Sequence, residues 1–221
     1  MSISKLRAVL AALLVSFVAA APAGAHVLPP GGHPYGQTYG QWQADWWRWA
    51  LTQPADANPL FDATGQFCAN GQRGPVWFLA GTLDGTPVTR SCRVPAGRAL
   101  LFPVVNLGYF AFQSDPPEQR TLAYVRAQTQ PARDATGLFA TVDGFSVPAI
   151  KARYYTESVF FAVRLGPNNL LGLEPGSLLA PAADAGYYLI VPPLSRGVHT
   201  IHFGGTGGSV VDVTYQLRVD R

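Results

Sequence analysis

The chain has 221 residues, of which 48% are hydrophobic, 13% charged and 12% aromatic. This composition fits one packed domain and excludes a disordered chain, a coiled coil and an acidic solvating tail. Glycine (23) and proline (19) demand frequent turns, which favours short strands over long helices.

Residues 1–25 read as a signal peptide. Lys5 and Arg7 form a basic n-region, Ala8 to Ala21 is an apolar run, and Ala23-Gly24-Ala25 supplies the small residues before a cleavage site. The run is too short to span a bilayer, and no second one follows. The sequence therefore predicts a secreted product, extracellular or periplasmic, with no membrane span. Lys5 and Arg7 leave with the leader, so 14 of the 16 basic residues remain against 13 acidic ones. They are scattered singly, with Arg90, Arg93 and Arg98 the nearest thing to a cluster, and such a surface predicts no nucleic-acid partner. Cys68 and Cys92 are the two cysteines, lie in no CxxC motif, and predict one disulfide in an oxidising compartment.

The mature chain, 26–221, reads as a single domain. From His26 to Gly36 it is rich in Pro and Gly and predicted extended. A helical segment follows over about 38–52. Trp42, Trp46 and Trp49 fall at i, i+4 and i+7 on one face with Ala50, while Gln41, Asp45, Arg48 and Thr52 line another. Asp45 and Arg48 stand at a helical pair spacing, and Trp47 falls to the side. Thr38 is placed to cap this helix and Pro54 to close it.

Beyond a long loop from Pro54 to Gly74 the apolar period changes to two. Strands are predicted over 75–80, 87–94 and 99–105, then a second helix over 116–128, with Asp115 as N-cap and Glu118 completing a capping box. Further strands are predicted over 138–142, 146–154, 158–165, 187–191, 198–203 and 210–219. Asp143-Gly144 is a hairpin turn, and Gly204 to Gly208 a hairpin loop rather than a phosphate cradle. In the last strand Val211, Val213, Tyr215, Leu217 and Val219 share one side, so one face is core and the other wet. Eight or nine short strands with two helices predict a mainly β fold: an immunoglobulin-like or jelly-roll β-sandwich with an N-terminal amphipathic helix and one further short helix.

The segment from Ala185 to Phe203 resembles the closing hairpins of immunoglobulin-like or jelly-roll modules in secreted bacterial proteins. With the tryptophan helix and Val76-Trp-Phe-Leu-Ala-Gly81, most of the mature chain resembles a family of exported bacterial β-sandwich proteins of unknown function. The resemblance implies fold and export, and brings no activity and no site residue.

Candidate chemistry comes from the residues themselves. Cleavage after Ala25 would make His26 the N-terminus, where α-amine and imidazole form two legs of a copper-binding histidine brace. The remaining leg would come from His33, His199 or His202, although His199 and His202 are predicted on opposite faces of one strand. Lytic polysaccharide monooxygenases use such a brace; the likeness extends only to an exported sandwich with an N-terminal histidine. Trp47 and the rows Tyr35/Tyr39 and Tyr154/Tyr155 are candidate platforms for sugar rings, whereas Trp42, Trp46 and Trp49 read as core. Asp56, Asn58 and Asp62 place oxygen ligands for calcium in the long loop. Glutamate occurs at 118, 157 and 174 alone, Glu157 being placed to pair with Arg153. No spacing identifies the facing carboxylates of a glycosidase, and there is no Gly-x-Ser-x-Gly elbow and no free thiol. The sequence expectation is a non-catalytic protein binding an extracellular or envelope ligand such as a polysaccharide. A copper protein braced at His26 and a hydrolase without a recognisable motif are the alternatives.

Overall fold

The computed structural model describes residues 26–220; the predicted signal peptide lies outside the described residues. The strands are β1 (Val76–Phe78), β2 (Val88–Pro95), β3 (Ala99–Phe110), β4 (Thr136–Val142), β5 (Phe145–Ser146), β6 (Tyr155–Glu157), β7 (Phe161–Arg164), β8 (Leu178–Val191), β9 (Gly197–Gly207) and β10 (Ser209–Asp220). They form two sheets. One has the order β1-β3-β8-β6, with β7 also paired to β8; the other has the order β2-β10-β9-β4-β5. Each carries one parallel pair, β1 with β3 and β2 with β10, in an otherwise antiparallel arrangement. The predicted β-sandwich is the fold observed.

The inner faces meet in one apolar layer. Phe102 stacks on Phe203 with ring centroids 4.6 Å apart, and Leu100, Leu189, Ile201, Tyr215 and Leu217 fill the space around them. Strand β10 supplies alternate residues to this layer, as its sequence pattern requires.

The outer face of the β3/β8 sheet is not wet. Helix α1 (Tyr39–Thr52) lies across it and packs Trp42, Trp46 and Trp49 against Val76, Phe78, Leu101, Tyr188 and Ile190. Burial on both faces explains why β3 opens, and β8 continues, as apolar runs rather than alternations. The helix starts with a capping box: Thr38 Oγ1 accepts from Gln41 N, and Gln41 Oε1 accepts from Thr38 N. Each face-forming indole also donates to a backbone carbonyl: Trp42 to Pro34, Trp46 to Leu79 and Trp49 to Asn70, at 2.8–3.0 Å. At Gly40 the helix touches the end of β6, where a Cβ would stand 2.5 Å from Glu157 O. Asp45 and Arg48 form the expected pair, at 2.7 Å.

The long loop is fixed by the Cys68–Cys92 disulfide, whose Cα atoms are 5.9 Å apart, and by Arg90. That side chain is buried and donates to the carbonyls of Asp62, Ala80, Gly81 and Leu60 and to the Tyr215 hydroxyl.

Three local expectations are corrected. The second helix does not begin at 116: a 3₁₀ turn over Pro117–Arg120 precedes α2 (Leu122–Thr129), and extended Thr121 caps it through Tyr124 N. Asp115 instead accepts from Phe112 N. The strand predicted over 146–154 is interrupted, because Ala149 adopts a left-handed φ of 56° and opens the single turn α3 (Ile150–Arg153). Glu157 pairs with Arg126 and Arg133 rather than Arg153, which lies over Tyr154.

Candidate functional site

Two concavities flank α1, and they differ in chemistry. The larger is an open trough of about 710 Å³ between α1 and the loop before β1. Its floor is the exposed edges of Trp42, Trp49 and Phe78; the two indoles are tilted or edge-on to the phenyl ring, with centroids 6.3 and 5.5 Å from it. Gln37, Asp45, Arg48 and Arg73 supply polar groups at its sides. Asp45 is held from two directions, by Arg48 Nη1 at 2.7 Å and by Gln37 Nε2 at 3.1 Å. Arg73 is exposed and forms no ion pair among the described residues. The trough thus sets apolar ring edges beside oriented amide, carboxylate and guanidinium groups.

The smaller concavity is a cleft of about 260 Å³ on the opposite flank. It is walled by Trp46, Trp47, Leu60, Val105 and Val211 and by glycines at 81, 108, 207 and 208, with Thr82 and Asn106 among its polar residues. Trp47 packs edge-on to Trp46 and to Phe110, at 5.0 and 4.9 Å. Gly108 permits this packing, since a Cβ there would stand 2.8 Å from the Trp47 ring.

Behind the cleft lies Asp184, fully buried on β8. Its Oδ1 accepts from Asn106 Nδ2 at 3.1 Å, and the same amide donates to the Tyr188 hydroxyl at 2.7 Å. Oδ2 has no hydrogen-bond partner among the described residues, and the Trp47 N–H faces this carboxyl without reaching hydrogen-bond geometry. Burial drives the Asp184 pKa up to about 7, against the lowering effects of Trp47, Tyr188, Asn106 and the Arg126 charge. The Tyr188 hydroxyl is held well above its ordinary value, first by burial and then by the neighbouring Asp184.

The residues singled out from sequence do not form one surface. Tyr35 is exposed in a 3₁₀ turn over Pro34–Gly36. Tyr39 is buried, with its hydroxyl donating to Leu28 O and accepting from Ile190 N. Tyr154 is buried, and Tyr155 is covered by Arg133, whose guanidinium carbon stands 4.0 Å from the ring centroid. Trp47 is buried too, and lines the cleft rather than a row with the tyrosines. The trough uses Trp42 and Trp49, which are core residues with one edge showing. Helical spacing identified their buried face; nothing local could bring Arg73 and Phe78 beside them.

His199 and His202 have separate partners. His26 and His33 are exposed near the start of the described chain. His199 Nδ1 meets Asp143 Oδ2 at 2.7 Å while its Nε2 lies 2.9 Å from Ser195 O. His202 projects from the opposite face of β9, where Nε2 meets Asp212 Oδ1 at 2.8 Å and the ring contacts Phe139. Among the described residues no three His, Cys, Asp or Glu side chains group as a metal site. In the long loop Asp62 is consumed by the backbone N–H groups of Thr64, Gly65 and Phe67, Asn58 bridges Ala50 O to Leu60 N, and Asp56 bonds Asn168. These side chains thus serve to hold the loop itself.

No helix among the described residues is long and apolar enough to cross a membrane. No protein-family model matches the chain, and neither a curated protein nor a solved structure matches it.

Proposed function

We propose that this is a secreted, non-catalytic binding protein of the extracellular space or cell envelope, and that the trough along α1 takes a segment of polysaccharide. The observation that carries the reading is the placement of the Trp42, Trp49 and Phe78 edges beside the Gln37–Asp45–Arg48 network. Hydroxyl-rich ligands are recognised by planar polar groups held in fixed orientation, and here each is held by another. The trough contains one carboxylate, Asp45, already engaged by Arg48, whereas glycoside hydrolysis by the common routes needs two that face each other across the bond. That arrangement supports a reading of binding without cleavage.

The test is affinity electrophoresis and calorimetry against a panel of soluble neutral and acidic polysaccharides, with wild type, Arg48→Ala and Arg73→Ala. A retained polysaccharide should lose about tenfold or more in affinity in either variant, with unchanged thermal unfolding. Retention equal in wild type and both variants, or no retention by any polysaccharide, overturns the reading.

A further inference from the structure

The cleft on the other flank of α1 has a different chemistry from the trough, and we propose that it is a second, independent ligand site. Its ligand is a small uncharged molecule, apolar over most of its surface and carrying one hydroxyl or amide N–H.

Among the described residues no Asp, Glu, Lys, Arg or His lines the cleft. A charged ligand would lose its hydration there and gain no counter-charge, so ions are excluded on desolvation alone. Most of the wall is indole, aliphatic side chain and glycine backbone, which selects an apolar body. A volume of about 260 Å³ lies below the usual range for drug-sized ligands and limits this one to roughly a dozen non-hydrogen atoms.

Two polar groups give it direction. Thr82 is nine-tenths buried and lines the cleft, and its Oγ1 has no hydrogen-bond partner among the described residues. A buried hydroxyl left unpaired is costly, and a ligand that pairs with it recovers that cost. Asn106 is the second. Its Nδ2 is committed twice, to Asp184 Oδ1 and to the Tyr188 hydroxyl, which fixes the side-chain amide and leaves Oδ1 as the acceptor it offers. An acceptor from Asn106 and a hydroxyl from Thr82, both lining the cleft, match a ligand O–H or N–H. Asp184 is here a positioning residue, acting on the ligand through Asn106.

The cleft can also be closed without disturbing the fold. A Cβ at Gly81 would meet only Val211 Cγ1, at 4.0 Å, so Gly81→Leu adds bulk to the cleft wall where the backbone has room. Thr82→Val keeps the shape and removes the hydroxyl.

The experiment is titration of the full chain with 2-naphthol, followed by ligand fluorescence and by NMR of the indole N–H signals, with 2-naphthoate as the charged comparison. Saturable 2-naphthol binding is expected, at least tenfold tighter than 2-naphthoate. Affinity should fall about five- to tenfold in Thr82→Val and by more in Gly81→Leu, and remain unchanged in Arg73→Ala, whose side chain lies in the trough. Thr82→Val should unfold at the wild-type temperature or above it, since it removes an unpaired buried group; a hydroxyl with a merely structural role would instead lower it. The proposal is overturned by an absence of saturable binding up to the solubility limit, or by equal binding in wild type and Thr82→Val. If Gly81→Leu does not fold, the Thr82→Val comparison still decides.

Discussion

The Arg90 guanidinium and the Tyr215 hydroxyl, 3.0 Å apart in the interior, both donate to the same carbonyl, Ala80 O, at 2.7 and 3.1 Å. Tyr215 Oη also accepts from Ala80 N. One cation and one phenol thereby fasten the end of β1 and the loop before Gly65 to the sandwich.

Arg90→Met should therefore destabilise the protein by about 3 kcal/mol, because it strands several buried carbonyls and the Tyr215 hydroxyl. At this size that corresponds to a fall in Tm of roughly 6–12 °C. Arg90→Lys should recover little of it, since one ammonium cannot reproduce the guanidinium's spread of donors. Thermal unfolding of both variants checks this, and a Tm within about 2 °C of wild type for Arg90→Met would contradict it.

Reduction of Cys68–Cys92, or the double substitution Cys68→Ala/Cys92→Ala, opens a loop with a sequence separation of 24. Chain entropy predicts a loss of about 3.5 kcal/mol. Urea unfolding with and without reductant measures it; coincident midpoints would show that the loop is held by Arg90 alone.

Asp184 makes stability depend on pH in a defined direction. Its folded pKa, about 7, lies above the ordinary 3.8, so the folded state holds a proton that the unfolded chain releases. Its contribution to stability should be complete below about pH 4, fall as pH rises from there to about 7, and level off above. At about 1.4 kcal/mol per pH unit this amounts to on the order of 4 kcal/mol. Asp184→Asn should flatten that slope and unfold at a higher temperature than wild type at pH 8. An unchanged slope in the variant would remove Asp184 as its source.

His199 titrates above its ordinary value: burial lowers it, and the hydrogen bonds to Asp143 and Ser195 together with the Asp143 charge outweigh burial. Its contribution to stability is complete below about pH 6.5 and disappears as pH rises through the raised value. NMR titration should place the imidazole above 6.5 in wild type and nearer to it in Asp143→Asn. Identical values in the two proteins would mean that Asp143 does not hold the ring.

Gly40 is a further sensitive point. Alanine is the better helix former by about 1 kcal/mol, yet Gly40→Ala should destabilise by about 1–3 kcal/mol, because its Cβ would press on Glu157 O. A stabilised variant in thermal unfolding would show that α1 can move off β6.

Much of this architecture follows from local patterns. The Thr38 cap, the tryptophan spacing, the Asp143-Gly144 turn and the alternation of β10 each reflect one element's own period. The first half of β8, from Leu178 to Gly186, carries no such signal. Its Ala182, Ala183 and Ala185 are fully buried between layers that approach too closely for larger side chains, and small residues do not announce a strand. The 3₁₀ turn before α2 was concealed by prolines that suit either kind of helix start. The sites were less legible still. Asn106 and Asp184 are distant in sequence and meet only through the pairing of β3 with β8, and Thr82 reaches the same cleft from the loop after β1. One clue was present: Asp184 is a carboxylate inside an otherwise uncharged run from Leu178 to Val191. Such a residue is either an error of assignment or a group the fold has reason to bury.

The doubly covered sheet has a consequence for the order of assembly. Tyr39 bonds Ile190, 151 positions later, and Trp46 packs edge-on to Tyr188. Helix α1 therefore emerges first from any source that delivers the chain amino end foremost, yet the sheet it lies on gains β1 and β3 only later and stays incomplete until β8 arrives. Through most of that interval four closely spaced indoles stand in solvent, on a segment with little reason to be stable alone. The period between the arrival of the first helix and the fourteenth residue of β8 is when this chain most needs a holding chaperone.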